Sequence, residues 1–354
     1  MEKTLAPLPP KVDLETPAVL KALISAHRHL AELKGVAKTI PNEGMLISTL
    51  ALQEAQSSSA IENIITTQDQ LYKFQLHSDK VDPTAKEVAF YAQALHLGYH
   101  AVVKTEALTL NTVIEIQEIL EGNRAGLRKT PGTALINEQT REIVFQPPSP
   151  DKLVKYMADL EQFINTEQEL DPLVCMALIH HQFETIHPFY DGNGRTGRIL
   201  NILHLVLNGL LDTPILYLSR YINHTKDQYY TLLQKVRDTG EWEEWVLYIL
   251  KAVSMTAKHT TVLVEAIGDL LIEQKQRIRA QHKFYSQDLM NSLFIHPYTK
   301  VAFIEEALGV SRATATRYLD ALCEGTLSKH KLGRESYYVN DALIALLFEL
   351  PSIE

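Results

Sequence analysis

The sequence predicts a mainly α fold: a helical core carrying one small β-hairpin, then a C-terminal helix-turn-helix with its own hairpin, in the manner of a winged helix. Three observations lead there. Apolar residues recur at three-to-four spacing through most of the chain between residues 17 and 282. Strand-like runs break that pattern once, in TALINEQTREIVFQPPSP at 133–150, where ALI and EIVF flank a polar turn before Pro147 and Pro148. No βαβ alternation is present, so a parallel sheet is not expected.

The elements follow in order. PAVLKALISAHRHLAELKG (17–35) carries an apolar stripe and is expected to end at Gly35. Residues 46–56, 84–104, 109–121 and 150–166 show the same period. A lone two-stranded hairpin is marginal in water, so the one at 133–145 must lean on the helices, either as a surface excursion or as a flap beside a site. DPLVCMALIHHQFETI (171–186) reads as a buried helix. It stops at His187 because Pro188 disfavours the helical conformation in the residue before it. Another apolar helix starts after Thr196 and ends near Gly209, and residues 241–282 read as long helical material. Residues 292–345 form a small separate unit.

Composition sets the outer bounds. A chain of 354 residues suggests two or three domains, and 45% hydrophobic residues can bury a sizeable core. A net charge of −9 argues against a chain-wide nucleic-acid binder and leaves room for a local basic face. Cys175 and Cys323 lie far apart in apolar contexts, so no disulfide framework or thiolate metal site follows. MEKTLAPLPPKVDLETP lacks the apolar region of a signal peptide. The longest apolar stretch, ILNILHLVLNGLL (199–211), is shorter than the roughly 18 residues of a membrane span. A cytoplasmic location is expected.

The densest chemistry lies in HPFYDGNGRTGR, residues 187–198. It contains G-x-G-x-x-G at Gly192, Gly194 and Gly197, but a dinucleotide-binding turn needs a strand before it, and here a helix precedes. No P-loop pattern occurs either. A phosphate site is still physically plain. Gly192 and Gly194 can adopt positive φ, which lets successive N–H groups share one concavity. The following helix adds free N–H donors and a partial positive charge. Arg195 and Arg198, three apart, share a helix face and suit bidentate phosphate contacts. Asp191 is a hard oxygen ligand for Mg²⁺ next to the nest. His187, with an ordinary pKa of about 6.5, can take a proton at cellular pH. The plainer reading is a glycine-rich helix-helix loop with surface arginines.

This stretch resembles the signature HPF-x-[DE]-GNGR-x-x-R of the Fic (filamentation induced by cAMP) family, position by position. The resemblance implies an all-helical core that transfers AMP from ATP, as substrate with Mg²⁺, to a hydroxyl of a target protein or of itself. It implies His187 as general base, Asp191 as metal ligand, and Gly192, Asn193 and Gly194 as anion hole. Arg195 and Arg198 would hold the outer phosphates, with Thr196 and Gly197 completing the nucleotide loop. GLRKT (126–130) and the hairpin after it resemble the family's flap, which holds the target segment. TKDQYYTLLQKVRDTGEWEEWVLYIL (225–250) resembles the helices after the motif, with Tyr229 and Tyr230 near the adenine.

A second stretch, SSSAIENI (57–64), admits two readings. Ser59-x-x-Glu62 has the spacing of a helix-capping box. Alternatively, Ser58, Glu62 and Asn63 satisfy the [ST]-x-x-x-E-[GN] pattern of family members with an inhibitory N-terminal helix. There the glutamate pairs with the second motif arginine, here Arg198, and blocks the γ-phosphate. Asn stands at 63 rather than Gly, which the pattern allows. Use of the same glutamate to remove AMP stays open.

In the C-terminal unit, Val301, Ile304, Leu308, Val310, Ala315, Leu319 and Leu322 would form a compact core around a turn at Gly309. Arg312, Thr314 and Arg317 would be exposed on the second helix, and Lys329, Lys331 and Arg334 on the hairpin KHKLGRESYYV. Asp320, Glu324 and Glu335 offset them, so the surplus is small for a sequence-specific DNA binder. DNA through 300–339, protein docking and a plain scaffold all stay open, as does a homodimer.

The expected division is 1–108 for an N-terminal region with the inhibitory helix, 109–250 for the Fic core, 251–290 for a helical linker and 291–354 for the winged-helix-like domain. Competing functions are a nucleotide-sensing DNA-binding regulator, transfer of another phosphate-bearing group, and a metal phosphohydrolase built on His180, His181, His187 and Asp191.

Overall fold

The computed structural model describes residues 5–76, 83–136, 142–332 and 335–348. Helices dominate it. α1 (Pro17–Ala37) starts at Thr16, whose hydroxyl accepts the Val19 N–H, and it has Pro at its first position. It runs through Gly35 rather than stopping there. Leu33 and Ala37 are buried in the core, which offsets the roughly 1 kcal/mol that a helical glycine costs.

α2 (Glu43–Ile61) is capped by Asn42 and extends beyond the predicted 46–56 at both ends. α3 (Gln68–Leu76) was not legible as a helix. α4 (Pro83–Thr105) and α5 (Leu110–Glu121) pack against each other and against the helix after the glycine loop. β1 (Leu135–Ile136) and β2 (Ile143–Phe145) form the expected antiparallel hairpin, with Leu135 opposite Phe145 and Ile136 opposite Ile143. Its connecting residues 137–141 lie outside the described residues.

α6 (Pro150–Asn165), α7 (Pro172–Ile186) and α8 (Asn193–Leu207) follow. α7 is buried almost all round, as its apolar sequence requires, and Asp171 caps its start. Trp245 donates its indole N–H to Ala177 O at 2.8 Å, pinning the following long helix to α7. α9 (Leu218–His224) and α10 (Lys226–Thr239) lead into α11 (Glu243–Gln281), a single 39-residue helix along which α1 packs. The expected boundary at 250/251 lies inside α11.

The C-terminal unit contains α12 (Gln287–Ile295), β3 (Tyr298–Thr299), α13 (Val301–Leu308), α14 (Arg312–Leu322), β4 (Ser328–Leu332), β5 (Glu335–Val339) and α15 (Asp341–Phe348). Gly309, at φ +62°, ends α13, and Ser311 caps α14. The strands form one antiparallel sheet in the order β3-β5-β4. Ile304, Ala315, Leu319 and Leu322 are buried there as predicted, whereas Val301, Leu308 and Val310 are half-buried. Arg312, Arg317, Lys329 and Lys331 are exposed, and Lys329 pairs with Asp320 at 2.6 Å. Arg334 lies outside the described residues.

This unit does not stand apart from the N-terminal helices. α12 packs on α2, and β3 on α3. Tyr298 stacks on Tyr72 with ring centroids 5.3 Å apart and donates to Asp69 at 2.9 Å. Lys300 Nζ donates to Leu76 O at 2.7 Å, at the end of α3. Gln274 and Asn340 exchange two amide hydrogen bonds of 2.8 and 3.1 Å.

Candidate functional site

The site grows out of the turn between α7 and α8. α7 ends at Ile186, and His187 follows in the left-handed region at φ +48°. Gly192 precedes α8 at φ +76°. The loop closes on itself: Asn193 Oδ1 accepts the Phe189 N–H and its Nδ2 donates to Phe189 O, both at 2.9 Å. Asp191 Oδ1 accepts the Gly192 N–H at 2.8 Å, which fixes its carboxylate at the rim. α8 begins at Asn193, about one turn earlier than predicted, so the N–H groups of Asn193, Gly194 and Arg195 have no intrahelical acceptor.

Each glycine has a different reason to be there. Gly192 alone needs its positive φ, and a Cβ on it would also collide with Glu121. Gly194, expected to share that conformation, lies inside α8; a Cβ there would collide with the Glu62 carboxylate. At Gly197 a Cβ would strike Glu184 Oε1, with His180 Nδ1 at 3.4 Å.

Both arginines are buried, at 1% exposure each, which overturns the reading of a loop with surface arginines. Arg198 Nε donates to Ser58 Oγ at 2.7 Å, and Nη2 donates to Ser58 O at 3.0 Å and to Glu62 Oε1 at 2.6 Å. Burial works against the Arg198 charge, and the surrounding Glu62, Tyr229, Tyr91 and Glu184, Glu62 foremost, together more than offset it. Arg195 Nε lies 3.4 Å from Glu62 Oε2 without the alignment of a hydrogen bond. Its Nη1 and Nη2 donate to Glu87 and Glu121 at 2.7 and 2.8 Å. Sequence reasoning missed Glu87 and Glu121, because nothing in α4 or α5 marks a carboxylate that meets an arginine so far along the chain. Burial, opposed by Arg195, raises the Glu121 carboxyl to about 6.

Glu62 is not part of an N-terminal capping box. Ser59 lies in the last turn of α2, and Glu62 is the residue that ends the helix. Asn63 follows at φ +62°, a conformation that Asn and Gly tolerate best, and Lys226 Nζ donates to its Oδ1 at 3.1 Å. The helix is seated from behind by a buried carboxylate. Glu54 accepts from Ser219 N at 2.9 Å, from Tyr91 OH at 3.0 Å, and from Ser219 Oγ. Burial raises its pKa.

Burial, reinforced by Arg237 and Arg128, lowers the pKa of His187 to about 4, well below the ordinary value expected from sequence. Its ring is therefore neutral across the physiological range. The other histidines of the rival metal set point elsewhere. His180 Nε2 bonds the Tyr229 hydroxyl at 2.9 Å, and His181 Nε2 bonds Leu233 O at 3.2 Å. Among the described residues no cluster of three His, Cys, Asp or Glu side chains could hold a metal by itself. Tyr229 is buried beside Trp245, whereas Tyr230 is 45% exposed next to it. Glu184, three residues before His187, is buried, lacks a partner for Oε1, and is raised to about 7 by burial. No helix among the described residues is long and apolar enough to cross a membrane.

Comparison with known proteins agrees with this architecture. The Fic/DOC family N-terminal model matches residues 20–100, and the Fic/DOC family model matches 107–205. The model for the C-terminal domain of SoFic-like protein adenylyltransferases matches 270–343. The chain is 30% identical over 143 residues to the protein adenylyltransferase fic-1 of Caenorhabditis elegans, covering 39% of this chain and 27% of that protein. It is 28% identical over 158 residues to a probable protein adenylyltransferase of Aquifex aeolicus, covering 43% of this chain and 45% of that one. The chain thus spans less than half the length of these curated relatives. In fold it is similar to a Fic family protein from Desulfovibrio desulfuricans, with TM-score 0.59 at 21% identity over 95% of this chain and 98% of the other. It is likewise similar to C. elegans Fic-1, with TM-score 0.53 at 20% identity over 72% and 73% of the two chains. With the signature loop, the helices that frame it and these matches in agreement, the chain belongs to the Fic/DOC family.

Proposed function

We propose that the protein is an adenylyltransferase that moves AMP from ATP to a hydroxyl side chain of a target protein or of itself, and that Glu62 holds it inactive. The observation that carries this reading is the pairing of both motif arginines with one carboxylate that ends α2. In the reaction the target hydroxyl oxygen bonds to the α-phosphorus, the bond to the pyrophosphate oxygen breaks, and pyrophosphate leaves. His187 accepts the hydroxyl proton, a role its neutral ring suits. The backbone N–H groups at the start of α8 receive phosphate oxygens, and Arg195 and Arg198 hold the outer phosphates once Glu62 withdraws. Tyr229 and Tyr230 serve the nucleobase.

The donor set fits Mg²⁺. Asp191 supplies one oriented carboxylate beside the nest, and Mg²⁺ commonly takes its other positions from phosphate and water. It would neutralise phosphate charge that two arginines cannot. Residues 291–354 are read as a winged-helix module. The basic surplus of its second helix and hairpin is small, which favours a docking or scaffold role, and binding to DNA fragments in a gel shift would revise that.

The test is intact mass after incubation with ATP and Mg²⁺ for wild type, Glu62→Gly, Arg198→Ala and the double variant. Glu62→Gly should gain AMP faster than wild type, and the other two should not, because the phosphate contact disappears along with the lock. A further variant, Glu62→Gly/His187→Ala, should lose ~10²–10⁴-fold in rate. A folded Glu62→Gly protein no faster than wild type would return Glu62 to a structural role.

A further inference from the structure

The C-terminal end of α7 is held by two guanidinium groups from distant parts of the chain. Arg128, ahead of the hairpin, is 2% exposed. Its Nε donates to His187 O at 2.8 Å, and its Nη2 donates to Ile186 O at 3.4 Å and to Pro148 O. Its backbone N–H donates to Pro188 O at 2.9 Å. Arg237, in α10, donates to Glu184 O at 3.0 Å and to Thr185 Oγ1 at 3.2 Å, and its guanidinium carbon lies 4.1 Å from the centre of the Phe145 ring. The Tyr190 hydroxyl also accepts from the backbone N–H groups of Lys129 and Thr130, at 2.8 and 3.3 Å.

Helix-end carbonyls lack intrahelical partners and attract cations, so one positive side chain there would need no special account. Here each guanidinium has a second attachment in the hairpin segment: Arg128 at Pro148, which follows β2, and Arg237 at Phe145, within β2. A planar fork can serve several carbonyls at fixed angles, which a lysine cannot do.

We propose that Arg128 and Arg237 form a clamp that fixes the hairpin against the backbone of His187, Arg128 setting the place of the histidine and Arg237, through Phe145, the place of the hairpin. The clamp rests on the reading of His187 as base and of the hairpin as the target's holder. Both are positioning residues, acting through groups that would meet the substrate.

The test uses the full chain carrying Glu62→Gly, with Arg128→Lys, Arg237→Met, Phe145→Leu, or the last two together. Amide exchange is followed in peptides covering 126–132, 142–147 and 183–190, with self-modification by intact mass and affinity for a non-hydrolysable ATP analogue with Mg²⁺. Arg237→Met and Phe145→Leu should each speed exchange at 142–147 by about tenfold, the scale of a half-buried cation–π contact, and the double variant should match either single one. Arg128→Lys should speed exchange at 126–132 and 183–190 and slow self-modification by up to ~10²-fold, as a misplaced reacting group does, with analogue affinity unchanged. Additive effects of Arg237→Met and Phe145→Leu, exchange rising uniformly along the chain, or analogue affinity falling in step with the rate would each overturn the clamp. If Arg128→Lys does not fold, the Arg237 and Phe145 arms decide. If Glu62→Gly itself takes up no AMP, the adenylyltransferase reading fails, while the exchange arms still judge the clamp.

Discussion

His187 combines a left-handed backbone with a buried ring, and both bear on its chemistry. A group whose pKa falls on folding binds fewer protons folded than unfolded. Its contribution to stability is therefore complete above about 6.5 and is lost as pH falls towards about 4. In a chain with labelled histidine rings, the His187 resonance should titrate with a midpoint near 4, and Arg237→Met should move it upward by removing a nearby positive charge. A midpoint at the ordinary value would place the ring in water. At this scale the sequence was informative where chemistry is dense: His187 and Asp191 lie on the turn after α7, and Asn193, Arg195 and Arg198 on the first turns of α8. It was silent on Glu87, Glu121, Arg128, Arg237 and Glu184. These are ordinary charged residues on ordinary helices and loops, and only their contacts around the loop set them apart.

Among the elements, α2 shows how a local pattern can mislead. SSSAIENI has capping-box spacing, yet the helix ends there instead of beginning, because Ser58 and Ser59 are buried against other helices. Burial against neighbours, not local propensity, set that boundary, as it did the run of α1 past Gly35. The seat of α2 is Glu54. Replacing it with Ala leaves the Ser219 N–H without an acceptor and should cost about 1–3 kcal/mol, the desolvation of an unmade buried bond. Gln keeps one carbonyl acceptor and should cost less. Thermal unfolding of the two variants compares them directly. If α2 is the inhibitory element, Glu54→Ala should also raise self-modification over wild type, since a looser helix holds Glu62 less firmly. Equal melting temperatures would mean that α2 is seated by its apolar face alone.

For the whole molecule, the helical class, the hairpin and the C-terminal helix-turn-helix were legible from periodicity and turn residues. The packing of the C-terminal unit on α2 and α3 was not, because Tyr72, Tyr298 and Tyr337 are too far apart in sequence to suggest a stack. That packing predicts one cooperative heat-absorption peak. Two separated peaks would mean that the units unfold independently. Tyr298→Ala should lower the melting temperature of the whole molecule, in keeping with the several kcal/mol typical of a buried aromatic truncation.

α11 has a consequence for how the chain can be divided. At 1.5 Å per residue its 39 residues reach roughly 58 Å. Its first turns hold Trp245 against α7, and farther along Gln274 holds Asn340. Trimming the polypeptide after residue 250, the expected end of the signature-bearing part, would cut one rod in two. The remaining piece would keep α1 but lose much of the helix it packs along, including the Ser254 hydroxyl that Ser25 and His29 meet. A fragment meant to carry the loop alone would therefore come out sticky and prone to self-association, whereas a cut beyond Gln281 would spare the rod.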